Sequence, residues 1–402
     1  MKDESLYITI ADNVHRIGGD DRTCEIFEGM LPIPEGVSYN AYVLTDEKTV
    51  LLDTCDASVA AGFMDSLKAS LGGRTLDYFI VNHMEPDHGA CIKSVIAAYP
   101  DAVVVGNART FEMINNFYGI EPSNRLVVED GDSLDTGSRK LVFVFAPMVH
   151  WPEVMVTYDA TNGILFSADA FGTFGTLDGC MYADLRDFDR EYLDGARRYY
   201  CNIVGKYGAK VQSLFKKLDG NPVNMICPLH GPVWRQDFGY ILGKYDLWSR
   251  YEPEEKGVAI GYVSMYGNTR AAADRLASML RTRGVRNVVL RDLSRIHPSY
   301  LVADAFRFTN IVLAAPTYNN SLQPLMDAAI TDMENMAVQK RNYSVIGNGS
   351  WVPRSHEFMI GRMSRLKDMT LVGEPVVFKS SMNDEAVAAL ERLADAIVAS
   401  ME

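Results

Sequence analysis

Cysteine is scarce and never paired in this chain of 402 residues. Its six cysteines (Cys24, Cys55, Cys91, Cys180, Cys201 and Cys227) contain no C-x-x-C spacing. That excludes a built-in rubredoxin-type iron site, which needs two such pairs. The cysteines read as buried thiols in a reducing compartment, so a cytoplasmic protein is expected. Positive charge is also short. Lys and Arg number 39 against 52 Asp and Glu, and the formal net charge of -13 leaves no basic stripe for a phosphate backbone, so nucleic acid is not an expected partner. No apolar run is long enough to span a bilayer, and the acidic opening Met1-Lys2-Asp3-Glu4-Ser5 does not resemble a secretory leader. A chain of this length has room for about two domains, because single cores stop growing near roughly 250 to 300 residues.

What is present is a concentration of metal-ligating side chains. Asn82-His83-Met84-Glu85-Pro86-Asp87-His88-Gly89 sets four potential ligands within six residues, directly after the apolar run Tyr78-Phe79-Ile80-Val81. That run is too short for a helix and reads as a buried strand. Period-2 alternation is expected to send His83, Glu85 and Asp87 to one side, with Pro86 stiffening the turn. Three further candidates each follow an apolar run: His150 after Leu141 to Val149, Asp169 after Ile164 to Ala168, and His230 after Met225 to Leu229. Any one of these histidines alone would pass for an ordinary core or surface residue. Together, four of the chain's seven histidines stand at strand ends beside three carboxylates, enough ligands for two metal ions. Imidazole with carboxylate suits zinc, iron or manganese, and the lack of cysteine in the cluster argues against a structural zinc knuckle.

Taken in order, the chain opens strand-rich, with Leu6 to Ile10, Tyr39 to Thr45 and Thr49 to Asp53 apolar or alternating between Gly, Pro and Asp breaks. A helix is expected from Ala57 to Leu71, closed by Gly72-Gly73, and another from Gly89 to Tyr99, stopped by Pro100. Strands at Ala102 to Val105, Leu141 to Phe145, Val154 to Tyr158 and Ile164 to Ser167 alternate with helices near Arg109 to Phe117 and Arg190 to Tyr207, which implies a layered α/β domain. The Gly-rich loop from Asp169 to Thr176 has no lysine after it, so it reads as shaping the rim beside Asp169 and not as a nucleotide-phosphate loop. His15, Tyr39 and Trp151 are candidates for the pocket wall, with core or surface as the alternative for each.

The charged stretch Tyr251 to Lys256 loses its apolar residues and reads as a linker, placing one domain over residues 1–252 and a second over 257–402. Beyond it, strands at Val258 to Val263, Asn287 to Arg291, Ile311 to Ala315, Tyr343 to Gly347 and Pro375 to Lys379 alternate with helices, as in a doubly wound five-stranded parallel sheet. Ser264-Met265-Tyr266-Gly267-Asn268-Thr269 follows the first of these strands and opens a helix, so its amides and hydroxyls can seat a phosphate; the missing lysine argues for a monophosphate. Two more strand-end loops, Pro316-Thr317-Tyr318-Asn319-Asn320 and Asn348-Gly349-Ser350-Trp351, add aromatics and amides. A planar ring bearing one phosphate fits them, which points to FMN.

The series His83-x-Glu85-x-Asp87-His88 followed by His150, Asp169 and His230, together with the Ser264 to Thr269 loop, resembles the flavodiiron proteins over the whole chain. The resemblance implies a metallo-β-lactamase-like αββα sandwich followed by a flavodoxin-like domain. It implies His83, Glu85 and His150 on one iron, Asp87, His88 and His230 on the other, and Asp169 bridging. The histidine matching His88 swings away from the metal in some members. The implied activity is reduction of dioxygen to water or of nitric oxide to nitrous oxide, with electrons entering through FMN from an external donor, a rubredoxin-like protein or a reduced deazaflavin. A head-to-tail homodimer, or a dimer of dimers, is implied as well. Where the hydrolase relatives carry histidine this chain has Glu85, and the harder oxygen ligand favours iron over zinc. The competing expectation is a metal hydrolase with the second domain as a docking module.

Overall fold

The computed structural model describes residues 6–402, so the acidic opening read above lies outside the described residues. The chain divides into two compact units. The first comprises the chain up to Tyr199 with Ala209–Asp246, and the second Tyr200–Gly208 with Leu247–Glu402. Among the described residues no helix is long and apolar enough to cross a membrane.

In the first unit two sheets face one another. One orders its strands Ile8–Ala11, Val14–Asp21, Val37–Thr45, Thr49–Leu52, Tyr78–Ile80, Val103–Gly106 and Arg125–Val127. The other runs Ser133–Asp135, Lys140–Phe145, Met155–Asp159, Ile164–Phe166 and Met225–Cys227. Pairing is antiparallel through the early strands of each and turns parallel from Thr49–Leu52 onward in the first sheet and at Met225–Cys227 in the second. Tyr42, Leu44, Leu52 and Ile80 from one sheet share a core with Leu141, Phe143 and Phe166 from the other. Helix Ala60–Leu71 packs on Val14–Asp21 and Val37–Thr45, and it ends at Gly72, whose φ of 59° favours a residue without a Cβ. This is the expected sandwich.

The second unit is a parallel sheet ordered Val288–Asp292, Glu255–Tyr262, Phe308–Tyr318, Asn342–Asn348, with Thr370–Leu371 and Val376–Phe378 both pairing the last of these. Its first three strands in chain order stand second, first and third, the flavodoxin-like order. Helix Asn268–Thr282 buries Ala272, Ala273, Leu276, Ala277 and Leu280, spaced by three and four so that one face meets Ile260, Val312 and Ile346. Helix Asp384–Ala399 joins that same layer. Helix Ser299–Arg307 packs on strands Glu255–Tyr262 and Phe308–Tyr318.

Several local expectations need correction. Strand Val14–Asp21 and helices Gly208–Leu218 and Gly239–Ser249 have no counterpart in the sequence reading. The single helix expected from Arg190 to Tyr207 is broken into Phe188–Glu191, Leu193–Tyr199, a π turn over Tyr200–Val204 and a 3-10 turn at Gly205–Tyr207. A π turn changes the hydrogen-bond register inside a segment that stays helical in composition, so the helix is legible in the sequence while the break is not. The expected linker is ordered: Glu255 and Lys256 belong to strand Glu255–Tyr262. Each carboxylate there has a fixed partner, Glu252 with Lys340, Glu254 with Trp248, and Glu255 with Asn287 and Arg307.

The turn after strand Val37–Thr45 is anchored by Asp46, whose carboxylate accepts hydrogen bonds from Thr136 Oγ1 (2.8 Å), Ser138 N (2.8 Å), Ser138 Oγ (2.8 Å) and Arg139 N (3.1 Å). Burial opposes ionisation, yet these donors outweigh it and hold the carboxyl below its usual 3.8. A depressed carboxyl stabilises the fold above that value and stops doing so as the pH falls below it. Asp46→Asn is therefore expected to cost about 1–3 kcal/mol at neutral pH. The gap to the wild type should close in denaturant melts as the pH drops below 3.8; a gap independent of pH would refute this account.

Candidate metal centre and cofactor pocket

Strand Tyr78–Ile80 ends against Asp53, which accepts the backbone N–H groups of Asn82 (2.7 Å) and His83 (3.1 Å) and the Asn82 side chain (2.8 Å). The chain then does not continue in extended alternation. Pro86 starts a helical turn, Pro86–Gly89, closed by His88 and Gly89 donating to Glu85 O, so Asp87 and His88 reach the site from a turn and not from a strand. His150 follows strand Lys140–Phe145 within a turn, while Asp169 follows Ala168, a non-glycine residue at a φ of 50°. His230 lies beyond strand Met225–Cys227. Its loop is tied to the first sheet by Asn40, whose side chain donates to Pro228 O and Gly231 O at 2.9 Å each.

All seven predicted ligands are buried and converge. They fall into two groups, His83, Glu85, His150 and Asp169, and Asp87, His88 and His230, the ligand atoms of each lying within 4.8 Å of one another. Asp169 joins the groups. Its Oδ2 stands 3.3 Å from His83 Nε2 and 3.0 Å from His150 Nε2, while its Oδ1 stands 3.0 Å from His88 Nε2. In the first group His150 Nε2 is 2.9 Å from Glu85 Oε2. In the second, His230 Nε2 is 3.3 Å from Asp87 Oδ2 and 3.0 Å from His88 Nε2. His88 thus points its ring into the cluster.

The donors fit a pair of cations. Both Asp87 oxygens, Asp169 Oδ1 and His88 Nδ1 are buried without a hydrogen-bond partner. Burial alone would push His150 down, but Asp169 and Glu85 outweigh it and raise it to about 9. His83 and His230 are likewise raised against the effect of burial, by Asp169 foremost and by Asp87 foremost, respectively. Carboxylates so placed demand positive charge, supplied by protons on imidazole or by metal ions. His83 Nδ1 lies 2.8 Å from Glu153 and His230 Nδ1 lies 2.9 Å from Ser38 O, so in both rings Nε2 is left facing the cluster.

Of the pocket-wall candidates, the Tyr39 ring meets His230 edge-on at 5.6 Å and Trp151 meets His83 at 5.6 Å. His15 is placed elsewhere, bonded to Thr9 and Thr45 on the two strands that flank its own. Sequence reasoning missed Asp53, Glu153 and Glu28. Asp53 carries the same signal as the ligands, an acid ending an apolar strand, and Glu153 follows His150 by three residues. Glu28 keeps much of its surface in solvent, but its carboxyl end is desolvated and sits against Glu85, which together push it up to about 8.

In the second unit the three predicted loops line one cavity of about 500 Å³ at the carboxyl ends of the strands. Ser264, Met265, Tyr266, Asn268 and Thr269 come from the first loop, Pro316 to Asn320 from the second and Asn348 to Trp351 from the third. Val352 and Ser380 also line it, and neither was anticipated. Gly267 does not line the cavity; its φ of 94° instead shapes the entry to helix Asn268–Thr282, which lacks a side-chain cap and leaves its first amides open to an anion. Thr317 lines the cavity, but its hydroxyl oxygen accepts from Arg354 N and Ser355 N and so is used to start helix Ser355–Met363. Asn348 ties the loops together, donating to Ser380 O and accepting from Gly349 N. Tyr266 and Trp351 stand 89% and 81% exposed, open faces on which a planar ring can stack.

A sequence profile described as "ODP family beta lactamase" matches residues 37–231. The anaerobic nitric oxide reductase flavorubredoxin of Salmonella arizonae is 31% identical over 352 residues, covering 86% of this chain and 73% of that protein. The protein of the same name from Escherichia coli strain K12 is 31% identical over 351 residues with the same coverage. Among solved structures, the rubredoxin oxygen:oxidoreductase of Desulfovibrio gigas matches with a TM-score of 0.92 at 25% identity, covering 98% of each chain. A flavo di-iron protein variant from Thermotoga maritima matches with a TM-score of 0.90 at 25% identity, covering 98% of this chain and 99% of that one.

Because one oxygen of Asp169 faces each group, Asp169→Asn is expected to weaken metal retention at both positions together, by roughly 10-fold or more at each. Elemental analysis after anaerobic loading with ferrous ion checks this. Retention of a full metal complement, or loss from one position only, would contradict a shared carboxylate.

Proposed function

The chain belongs to the flavodiiron family, and from that premise we propose how its own residues serve the family's reaction. It is an oxidoreductase that reduces dioxygen to water, nitric oxide to nitrous oxide, or both, at a non-haem di-iron site supplied with electrons through FMN. Hydrolysis is not favoured: the relatives are named as reductases, and a bound electron carrier has no part in breaking a bond with water.

The observation that carries the site assignment is the division of Asp169, one oxygen toward each group of histidines and carboxylates. We assign His83, Glu85 and His150 to one iron and Asp87, His88 and His230 to the other, with Asp169 between them. When bound, the irons supply open positions for a diatomic gas and change oxidation state by single electrons, while FMN supplies electrons in pairs. The protein does the rest. Glu153 and Ser38 O hold two of the imidazoles, the rings of Tyr39 and Trp151 wall the site, and the Glu28 carboxyl stands beside Glu85. For FMN we assign the phosphate to the Ser264–Thr269 loop and helix Asn268–Thr282, and the ring to the space bounded by Tyr318 and Trp351.

The domain division proposed is residues 1–252 for the iron domain and 257–402 for the flavin domain, in a cytoplasmic protein. The names of the relatives support a rubredoxin-type donor over a reduced deazaflavin. A head-to-tail homodimer is further proposed, in which the flavin pocket of one protomer covers the metal rim of its partner. Apolar side chains left open on both surfaces support it, Tyr266 and Trp351 around the flavin pocket and Ile26 and Met30 at 54% and 47% exposed beside Phe27, which packs on His230.

Purified anaerobically, the protein is expected to carry iron and FMN and to consume one or both gases when reduced. Zinc in place of iron, with no activity gained on iron loading, would refute the reading. Transfer between protomers is checked by mixing two inactive variants, Asp169→Asn and Thr269→Glu, whose added charge repels the FMN phosphate. A mixed dimer is expected to recover turnover, and one that assembles yet stays silent would place the working pair within a single chain.

A further inference from the structure

The two metal positions are matched in their own donors. Each has two imidazoles and one carboxylate, and Asp169 turns one oxygen toward each. What stands behind the imidazoles differs. Glu153 is wholly buried, and its Oε1 lies 2.8 Å from His83 Nδ1 while also accepting the Met84 N–H at 2.8 Å. Its backbone carbonyl accepts from the Asn107 side chain at 2.6 Å, so the residue is pinned at both ends. Its second oxygen, Oε2, is buried without a partner, which leaves the negative charge of this carboxylate spent on few donors. In the other group His230 Nδ1 faces the neutral carbonyl of Ser38 at 2.9 Å, and His88 Nδ1 is buried with no partner.

A carboxylate only accepts hydrogen bonds, so His83 carries its hydrogen on Nδ1 and turns the Nε2 lone pair to the cluster. A carboxylate behind a ligating imidazole raises its basicity more than a neutral carbonyl does. Buried charge is screened little, so this one negative charge favours the higher oxidation state of the metal that His83 holds. We propose that Glu153, acting through His83, makes the two positions electronically unequal, so that iron held by His83, Glu85 and His150 is oxidised before iron held by Asp87, His88 and His230. With iron bound, the step would be transfer of one electron from ferrous iron at that position to a one-electron acceptor, ferricyanide in the test below, leaving ferric iron and ferrocyanide; no bond breaks and Glu153 keeps its charge. Glu153 is a positioning residue here, touching neither gas nor flavin. The inference rests on the di-iron reading above.

The test is an anaerobic redox titration of the holoenzyme, with dithionite as reductant and ferricyanide as the electron acceptor, followed by electron paramagnetic resonance of the mixed-valence state. Iron and FMN are counted first, and an iron-free wild type would overturn the di-iron reading and this inference with it. In Glu153→Gln, which keeps the shape and the acceptor but removes the charge, the lower of the two iron couples is expected to shift about tenfold toward the ferrous state, ~59 mV upward. The upper couple should move less, so the couples approach and the largest mixed-valence signal falls. The FMN couples should stay in place, as a control for folding. Glu153→Asp, which retains the charge, is expected to recover most of the wild-type separation. Equal movement of both couples, movement of the upper couple alone, no movement in the glutamine variant, or simple loss of iron would each overturn the proposal. The first of these would leave Glu153 as a general charge, and the last would make it a structural prop.

Discussion

The structure of the first unit turns on a buried carboxylate shared between two sets of imidazoles. Asp169 is almost fully enclosed and has histidine nitrogens on both sides, so its charge cannot be answered by water. Such a group is strongly destabilising unless positive charge stands against it. Glu85 and Asp87, buried beside it, add to the demand. The arrangement therefore makes chemical sense only around cations, and much of the surrounding hydrogen bonding keeps the loops that bear these side chains from drawing apart. Leu229 N donates to Ala168 O, and Asn40 N to Leu229 O, linking the His230 loop to the Asp169 turn and to the first sheet. Thr157 Oγ1 donates to Asn82 Oδ1 at 2.7 Å, which joins the Asn82 to Gly89 stretch to the second sheet.

Both units place chemistry at the same kind of address. In the first, the candidate ligands stand on loops and turns that follow strands of two facing sheets; in the second, the cavity lies at the carboxyl ends of parallel strands. Strand backbones satisfy one another's hydrogen bonds, so only the loops beyond them are free to meet a ligand. The cost of precision is then met inside the loops. Asn348 and Thr317 use side-chain groups to hold the cavity rim and to start a helix, which leaves aromatics such as Tyr266 and Trp351 exposed for contact.

The metal centre also shows why residues around a site differ in how visible they are. A ligand must be His, Asp or Glu, whereas the Ser38 carbonyl that holds His230 belongs to the backbone and leaves no residue signature. Glu153 and Asp53 have side chains of the right kind, but their significance lies in which atoms they face. His15 has the same chemistry as the ligands and sits near an apolar strand, yet it serves only a local pairing with Thr9 and Thr45.

The amino-acid sequence by itself determined the two α/β units, the seven candidate ligands from His83 to His230 that converge and the three loops of the second cavity, because apolar runs mark strands and polar side chains cluster directly after them. It also misled where local pattern was the only guide. Alternation predicted that Asp87 would extend the strand, and Pro86 turned the chain into a helical turn instead. The charged run before Gly257 looked like a linker, and fixed partners at Asn287, Arg307 and Lys340 drew it into ordered structure. Only the tertiary structure decided that Asp169 presents one oxygen to each group and that Glu153 stands behind His83. Those facts depend on contacts between residues 70 positions apart for His83 and Glu153 and 81 for His88 and Asp169 (169 minus 88). Such distances in sequence carry no periodic signal; packing of the two sheets sets them.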